Sequence, residues 1–302
     1  SGTASGKTEA AFLPVLTELY HHPSSSVGVL YISPLKALIN DQFKRLDELL
    51  LESGLPVCKW HGDASAAEKN RLLKHPQGVL QITPESLESL LIRKRGACVK
   101  LFSDLRFIII DEVHYFMRDV RGIQVLSLLE RLQRLTGGIP RRIGLSATLG
   151  DIGAAREWLS SGTRRPCAAP PAEGGAQRVR LLVQRFRKEG AQDAEAEKAG
   201  EAALDSGTAA QYEYLYRMTL DKKTIIFTNS REETEFTLAN LRQLALKHKT
   251  PDVYRVHHGN VSAVLREQAE DEMKSAQEKL VTGATVTLEL GIDIGSLDQV
   301  VQ

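Results

Sequence analysis

The chain has 302 residues, of which 42% are apolar and 25% charged, and a net charge of +1. That length holds two ordinary α/β domains, and the composition is globular. The near-neutral balance excludes a protein whose nucleic-acid partner is announced by overall charge, so any basic groove must come from arrangement. No apolar run approaches a membrane span and no signal peptide is visible, so we expect no membrane partner and a cytoplasmic location.

The first feature in chain order is the run of residues 1–8, Ser-Gly-Thr-Ala-Ser-Gly-Lys-Thr, which leads into a helix expected over Thr8–Tyr20. Small residues let backbone amides curl around phosphate oxygens, and the following helix points its positive end at them. Lys7 can reach the β- and γ-phosphates of a nucleotide, and Thr8 offers a hydroxyl to magnesium. The strict loop pattern wants Gly where Ser1 stands, so it fails by one residue.

Short apolar runs then alternate with longer amphipathic ones, the signature of a mostly parallel sheet flanked by helices. Strands are expected at Val27–Ser33, Val57–His61, Gly78–Thr83, Phe107–Asp111 and Arg142–Ser146. Helices are expected at Lys36–Ser53, Ser65–Lys74, Pro84–Lys94 and Gln124–Thr136, with Gly137 as a stop. Ser65 and Thr83 read as helix caps, the latter with Pro84 at the first helical position. Behind the apolar run Phe107–Ile110 stand Asp111-Glu112-Val113-His114, two acids at the end of a strand. With a phosphate loop upstream, they specify a nucleoside triphosphate, its metal and an acid beside the attacking water.

Residues 162–177 are rich in Pro, Gly and Ala and read as a linker between domains at 1–161 and 178–302. Residues 188–208 read as an insertion or a weak helix. The second half repeats the alternation, with strands expected at Val179–Phe186, Thr224–Thr228, Val253–His257, Lys279–Thr282 and Gln299–Gln302. A helix opening on a capping box at Ser230-Arg231-Glu232-Glu233 should run to His248, and another spans Ser262–Ala276. Cys58, Cys98 and Cys167 lie far apart without metal-ligand spacing and read as reduced thiols.

Short motifs run through both halves in fixed order. They are residues 33–38 (Ser-Pro-Leu-Lys-Ala-Leu), 61–63 (His-Gly-Asp), 83–87 (Thr-Pro-Glu-Ser-Leu) and 146–148 (Ser-Ala-Thr). Then come 226–231 (Ile-Phe-Thr-Asn-Ser-Arg), 257–259 (His-His-Gly) and 287–293 (Thr-Leu-Glu-Leu-Gly-Ile-Asp). Together with the loop and the acids, this train resembles a superfamily 2 helicase of the DEAD/DEAH type with a DEVH box. Its wording is most similar to the Lhr-type (large helicase-related) branch, through residues 9–14, 33–38 and 288–295.

The resemblance implies two tandem RecA-like domains that bind ATP and Mg²⁺ and act on nucleic acid. Ser5, Gly6, Lys7, Thr8 and Glu9 would hold the nucleotide, with Gly291 and Asp293 from the second half. Thr8 and Asp111 would hold the metal, largely through water. Lys7, Asp111, Glu112 and His114 would be catalytic, Glu112 by orienting or deprotonating the water. His114, Ser146 and Thr148 would couple nucleotide state to the strand. Pro34, Lys36, Thr83, Asn229, Ser230, Gly259 and Thr287 would lie along the nucleic-acid backbone. The implied activity is an ATP-dependent helicase or translocase moving 3′ to 5′ on DNA, either single-stranded or a duplex with an overhang. An RNA helicase or remodeller, and a non-catalytic scaffold, remain alternatives. We also expect a fragment lacking both ends: no strand precedes the loop, and the family's adenine-recognition region, arginine finger and C-terminal domains are not in the sequence.

Overall fold

The computed structural model describes residues 6–62, 64–147, 149–170, 180–186, 206–257, 268–269, 272–273, 279–285 and 297–302. The chain forms two compact units, residues 1–175 and 176–302.

In the first unit, β1 (Val27–Ile32) lies at the centre of a five-stranded parallel sheet with β2 (Val57–Trp60), β3 (Gly78–Ile82), β4 (Phe107–Ile110) and β5 (Arg141–Gly144), in the order β2-β3-β1-β4-β5. All six residues of β1 are buried, as a strand covered on both faces must be. On one face, Val29, Tyr31, Val79, Phe107 and Ile109 pack against α1 (Lys7–His21) and α2 (Lys36–Leu50). On the other, Leu30, Ile32, Leu80, Ile82, Ile108 and Ile110 meet α4 (Pro84–Arg93), α5 (Arg95–Leu101), α6 (Val113–Met117) and α7 (Val120–Thr136). Between β2 and β3 runs α3 (Ala66–Lys74), and α8 (Ile152–Ser160) follows β5.

The second unit contains α9 (Ser206–Thr219), β6 (Thr224–Phe227), α10 (Arg231–His248), β7 (Tyr254–His257), β8 (Val281–Ala284) and β9 (Gln299–Val301). Its parallel sheet runs β7-β8-β6-β9. That order repeats β2-β3-β1-β4: the first strand sits inside, the second at the edge, and the third returns between them. The two halves thus share one topology, as their alternating patterns suggested.

The caps follow the sequence. Ser65 accepts the Ala67 amide at 3.2 Å and Thr83 the Ser86 amide at 3.4 Å. Ser230 accepts the Glu233 amide at 3.1 Å, while the Glu233 carboxylate accepts from Asn229, one residue earlier than in a standard box, at 3.0 Å. Gly137 ends α7 with φ 71°.

Several expectations need correction. Residues 180–186 pair with no strand among the described residues, and Leu181, Leu182 and Val183 are exposed at 87%, 64% and 84%. Without a partner to take its backbone groups or a core to cover its side chains, an apolar run gains nothing from becoming a strand. The helix expected to begin at Gln124 starts at Val120, with Asp119 accepting the Val120 amide. The helix expected to reach Ser53 ends at Leu50 and continues as a 3₁₀ turn, Leu51–Ser53. Helices α5, α6, α8 and α9 were not foreseen. Most of the helix expected at Ser262–Ala276 lies outside the described residues.

The packing of α6 on α7 depends on Gly122. A Cβ there would lie 1.9 Å from the Phe116 carbonyl oxygen, a backbone atom that cannot swing aside. Gly122→Ala should therefore lower stability by about 2–4 kcal/mol, read as a shift in the urea midpoint; a midpoint equal to the parent's would refute this packing.

Candidate active site

The strands of the first sheet end level. Ile32 is in register with Ile82 and Ile110, Trp60 with Ile82, and Ile110 with Gly144. His61, Ser33, Thr83, Asp111 and Leu145 therefore leave the sheet together, at the carboxyl edge where ligands bind in such sheets. Pairing continues one residue further: Ser33 donates to Ile82 at 3.1 Å, Asp111 to Ile32 at 2.8 Å and Leu145 to Ile110 at 2.9 Å.

Gly6 precedes α1 in the left-handed region, at φ 73°. The first amides of a helix have no acceptor within it, so the turn carrying Lys7, Thr8 and Glu9 presents N–H groups and the positive end of the dipole. Lys7 also lines a cavity of about 1080 Å³ with Ser146 and Ala147, room for a nucleotide-sized ligand. Thr8 is buried, and its hydroxyl donates to Gln42 Oε1 at 3.4 Å. Glu9 is engaged by Arg45, whose Nε lies 3.0 Å from Oε1. That pairing helps hold the Glu9 carboxyl below its usual range against the opposing effect of burial.

Asp111 and Glu112 part company at the end of β4. Asp111 Oδ2 accepts the Tyr31 hydroxyl at 2.6 Å, and Oδ1 accepts the Glu112 amide at 3.0 Å. Burial pushes the Asp111 carboxyl up to about 6, with the neighbouring Glu112 charge adding to it; the Tyr31 hydroxyl, the Glu112 amide and Lys7 oppose the shift. The same burial and the Asp111 carboxylate push the Tyr31 hydroxyl well above its ordinary value. Glu112 itself is left-handed, at φ 47° and ψ 51°, a conformation that costs a non-glycine residue on the order of 1 kcal/mol or more. The twist buries its side chain, and burial raises its carboxyl while Lys7 and the Ala147 amide pull it down.

His114 Nδ1 lies 2.7 Å from Ser146 Oγ and 3.2 Å from Glu112 Oε2. The second contact is at ion-pair distance but outside hydrogen-bond geometry, which leaves Glu112 Oε2 buried without a hydrogen bond. Burial, Arg118 and Lys7 hold the imidazole below its ordinary pKa. The chain thus brings together Lys7, Asp111, Glu112, His114 and Ser146.

The remaining expected residues are placed as follows. Pro34 is buried and its carbonyl accepts from Arg121 Nη2 at 2.9 Å. Lys36 is exposed, and a Cβ on Gly62 would stand 3.1 Å from its Nζ, so the motifs at 33–38 and 61–63 meet. Thr83 is buried as a cap, and Asn229 and Ser230 open α10 in the second unit. Ser5, Thr148, Gly259, Thr287, Gly291 and Asp293 lie outside the described residues. Tyr31, Gln42, Arg45 and Arg121 went unnoticed in the sequence. Only Tyr31 carries a local signal, a polar tip inside an otherwise apolar strand.

A profile of the DEAD/DEAH box helicases matches residues 1–154, and one of the helicase conserved C-terminal domain matches residues 209–302. The chain belongs to the DEAD/DEAH box helicase family. It is similar to the ATP-dependent helicase Lhr-Core of Methanothermobacter thermautotrophicus, 34% identical over 324 residues, covering 100% of this chain and 36% of that one. Among solved structures it resembles Mycobacterium smegmatis helicase Lhr bound to ssDNA and AMP-PNP, with TM-score 0.77, 32% identity and coverage of 99% of this chain and 39% of that one. It also resembles the DUF1998 helicase MrfA bound to DNA and AMPPNP, with TM-score 0.76, 26% identity and coverage of 99% and 40%. The chain thus spans well under half the length of these relatives, and its two units are the tandem RecA-like domains of this helicase family.

The family implies a magnesium ion, and the residues fit one. Thr8 and Asp111 offer only hard oxygen donors, the kind such an ion takes. Among the described residues no group of three His, Cys, Asp or Glu side chains forms a separate metal site, and no helix is long and apolar enough to cross a membrane.

A carboxyl raised in the folded state contributes stability that is present below its unfolded pKa near 3.8 and is lost as pH rises through about 6. Asp111→Asn, which keeps an acceptor for the Glu112 amide, should therefore raise the nucleotide-free melting temperature at pH 7.5. The gain should be on the order of 3 kcal/mol at most and should close by about pH 4. Melts across that range decide it; a gain that persists unchanged in acid refutes it.

Proposed function

We propose that this chain is the motor core of an ATP-dependent helicase or translocase that moves 3′ to 5′ on DNA. The observation that carries the reading is the Glu112–His114–Ser146 cluster. A buried carboxylate with one oxygen lacking a hydrogen bond sits beside Lys7, and an imidazole ties it to the Ser-Ala-Thr motif.

In this reading Gly6 and the first amides of α1, with the preceding Ser5, cradle the phosphates of ATP, and Lys7 neutralises charge on the β- and γ-phosphates. Mg²⁺, when bound, offsets further phosphate charge. Thr8 and Asp111 would hold it, Asp111 oriented by Tyr31 and the Glu112 amide. Glu112 takes the proton of the attacking water. Burial makes it a stronger base than a solvated carboxylate, and its oxygen without a hydrogen bond has a free lone pair for that water. Glu9 stabilises the loop through Arg45, while Gly291 and Asp293 complete the nucleotide contacts. His114, Ser146 and Thr148 pass the change at the γ-phosphate to the strand-binding motifs. Pro34, Lys36 and Thr83, with Asn229, Ser230, Gly259 and Thr287, grip the phosphate backbone without reading bases. The free thiols Cys58, Cys98 and Cys167 suit a reducing cytoplasm. Support for a DNA track comes from relatives solved with ssDNA or DNA.

The test is ATP turnover by the gene product with no polymer, single-stranded DNA, duplex DNA or RNA. Lys7→Ala and Glu112→Gln should each cut DNA-stimulated turnover by about 100-fold or more. His114→Ala should lower strand displacement more than it lowers ATP turnover. Stimulation by RNA alone would replace DNA with RNA as the track, and turnover unchanged in Lys7→Ala would overturn the motor itself.

A further inference from the structure

Arg121, the second residue of α7, touches two of the motifs at once. Its Nε lies 2.9 Å and its Nη2 2.6 Å from Glu85 Oε1, and Nη2 lies 2.9 Å from the Pro34 carbonyl oxygen. Tyr115 and Phe116 sit 5.4 and 5.9 Å from the guanidinium carbon, so the planar group is held against α6 by aromatic rings. The side chain is 23% exposed. Gly122 allows the approach of α7 to α6 that aims it.

The two partners open neighbouring helices. Pro34 stands two residues before α2, whose N-cap Leu35 is extended, and Glu85 lies in the first turn of α4. Because β1 and β3 are parallel neighbours ending in register, the turns at 33–36 and 83–86 leave the sheet side by side. The Ser33–Ile82 pairing sets the base of the two turns, and the guanidinium adds a tie between them further out. By accepting from Nη2, the Pro34 carbonyl fixes the plane of the Pro34–Leu35 peptide, and with it the direction of the amide that leads into α2. The α4–α7 contact continues with Gln124 on Glu88 and with Arg131 on Glu88 at 3.5 Å, so Arg121 sits on a rigid base.

We propose that Arg121 is a positioning residue for nucleic-acid binding. It ties the Pro34–Lys36 turn to the Thr83–Glu85 turn, so that both meet the same strand. This rests on the strand-binding role given above to Pro34, Lys36 and Thr83. The job needs the fork of a guanidinium, since a lysine ammonium is a point charge that cannot bridge two acceptors in a fixed plane.

The test is anisotropy titration of a fluorescent oligothymidylate with the gene product, beside strand-stimulated ATP turnover. Arg121→Ala should raise the binding midpoint and the strand concentration for half-maximal turnover by roughly tenfold, with kcat at saturating strand and the ATP KM close to the parent's. Arg121→Lys should keep most of that defect, and Glu85→Gln, which retains an acceptor, should stay within about twofold of the parent. A parental midpoint in Arg121→Ala or full rescue by Lys would overturn this inference alone. A uniform loss of kcat, ATP affinity and strand affinity in all three variants would overturn it in favour of a purely structural role. Failure of the parent to bind any strand would remove the nucleic-acid reading and this inference with it.

Discussion

Two consecutive carboxylates leave β4 into different surroundings, and one left-handed residue makes that possible. In an extended chain Asp111 and Glu112 would point to opposite faces of the sheet. The turn at Glu112 instead starts α6 at once and folds the second carboxylate under the edge of the sheet, beside His114. Asp111 stays at the strand end, held by Tyr31 from β1 and by the next amide. The local backbone cost is carried by pairing on both sides, with the Val113 amide donating to Leu145 at 2.9 Å.

From that turn the rest of the first unit follows. The β1–β4 and β4–β5 registers bring the phosphate-loop helix, the acids and the Ser-Ala-Thr motif to one edge. Tyr31 belongs at once to the apolar face under α1 and α2 and to the polar edge, which explains why a hydroxyl is tolerated there. Burial that would be a liability for two acids elsewhere is what makes them useful. It raises both carboxyls, and in the function proposed above that suits Glu112 to act as a base and Asp111 to face a cation. Some stability is given up at this edge for chemistry, while the buried strands behind it supply the rigidity that keeps donors and acids in place.

Among the described residues the second unit uses the same strand order with one strand fewer. In both units the motif residues follow the carboxyl ends of strands, Ser33 and Asp111 in one and Asn229 in the other. Parallel sheets direct loops this way because each crossover returns the chain to the same starting edge. A fold repeated within one chain therefore presents two sets of loops from the same kind of edge.

By itself the sequence located every strand of the two sheets to within two residues and the caps at Ser65, Thr83 and Ser230, and it placed one strand, at 180–186, where none forms. These are local facts: periodicity, turn chemistry and motif spacing need only neighbouring residues. Only the tertiary structure decided that Tyr31 holds Asp111, that His114 bridges Glu112 and Ser146, and that Arg121 joins Pro34 to Glu85. Each of those contacts spans more than thirty residues of chain except the short step from Glu112 to His114. Their existence depends on strand order and register, which no pattern of adjacent residues encodes. The lost strand at 180–186 teaches the same lesson in reverse: alternation announces a strand, but a strand forms only where another offers it hydrogen bonds.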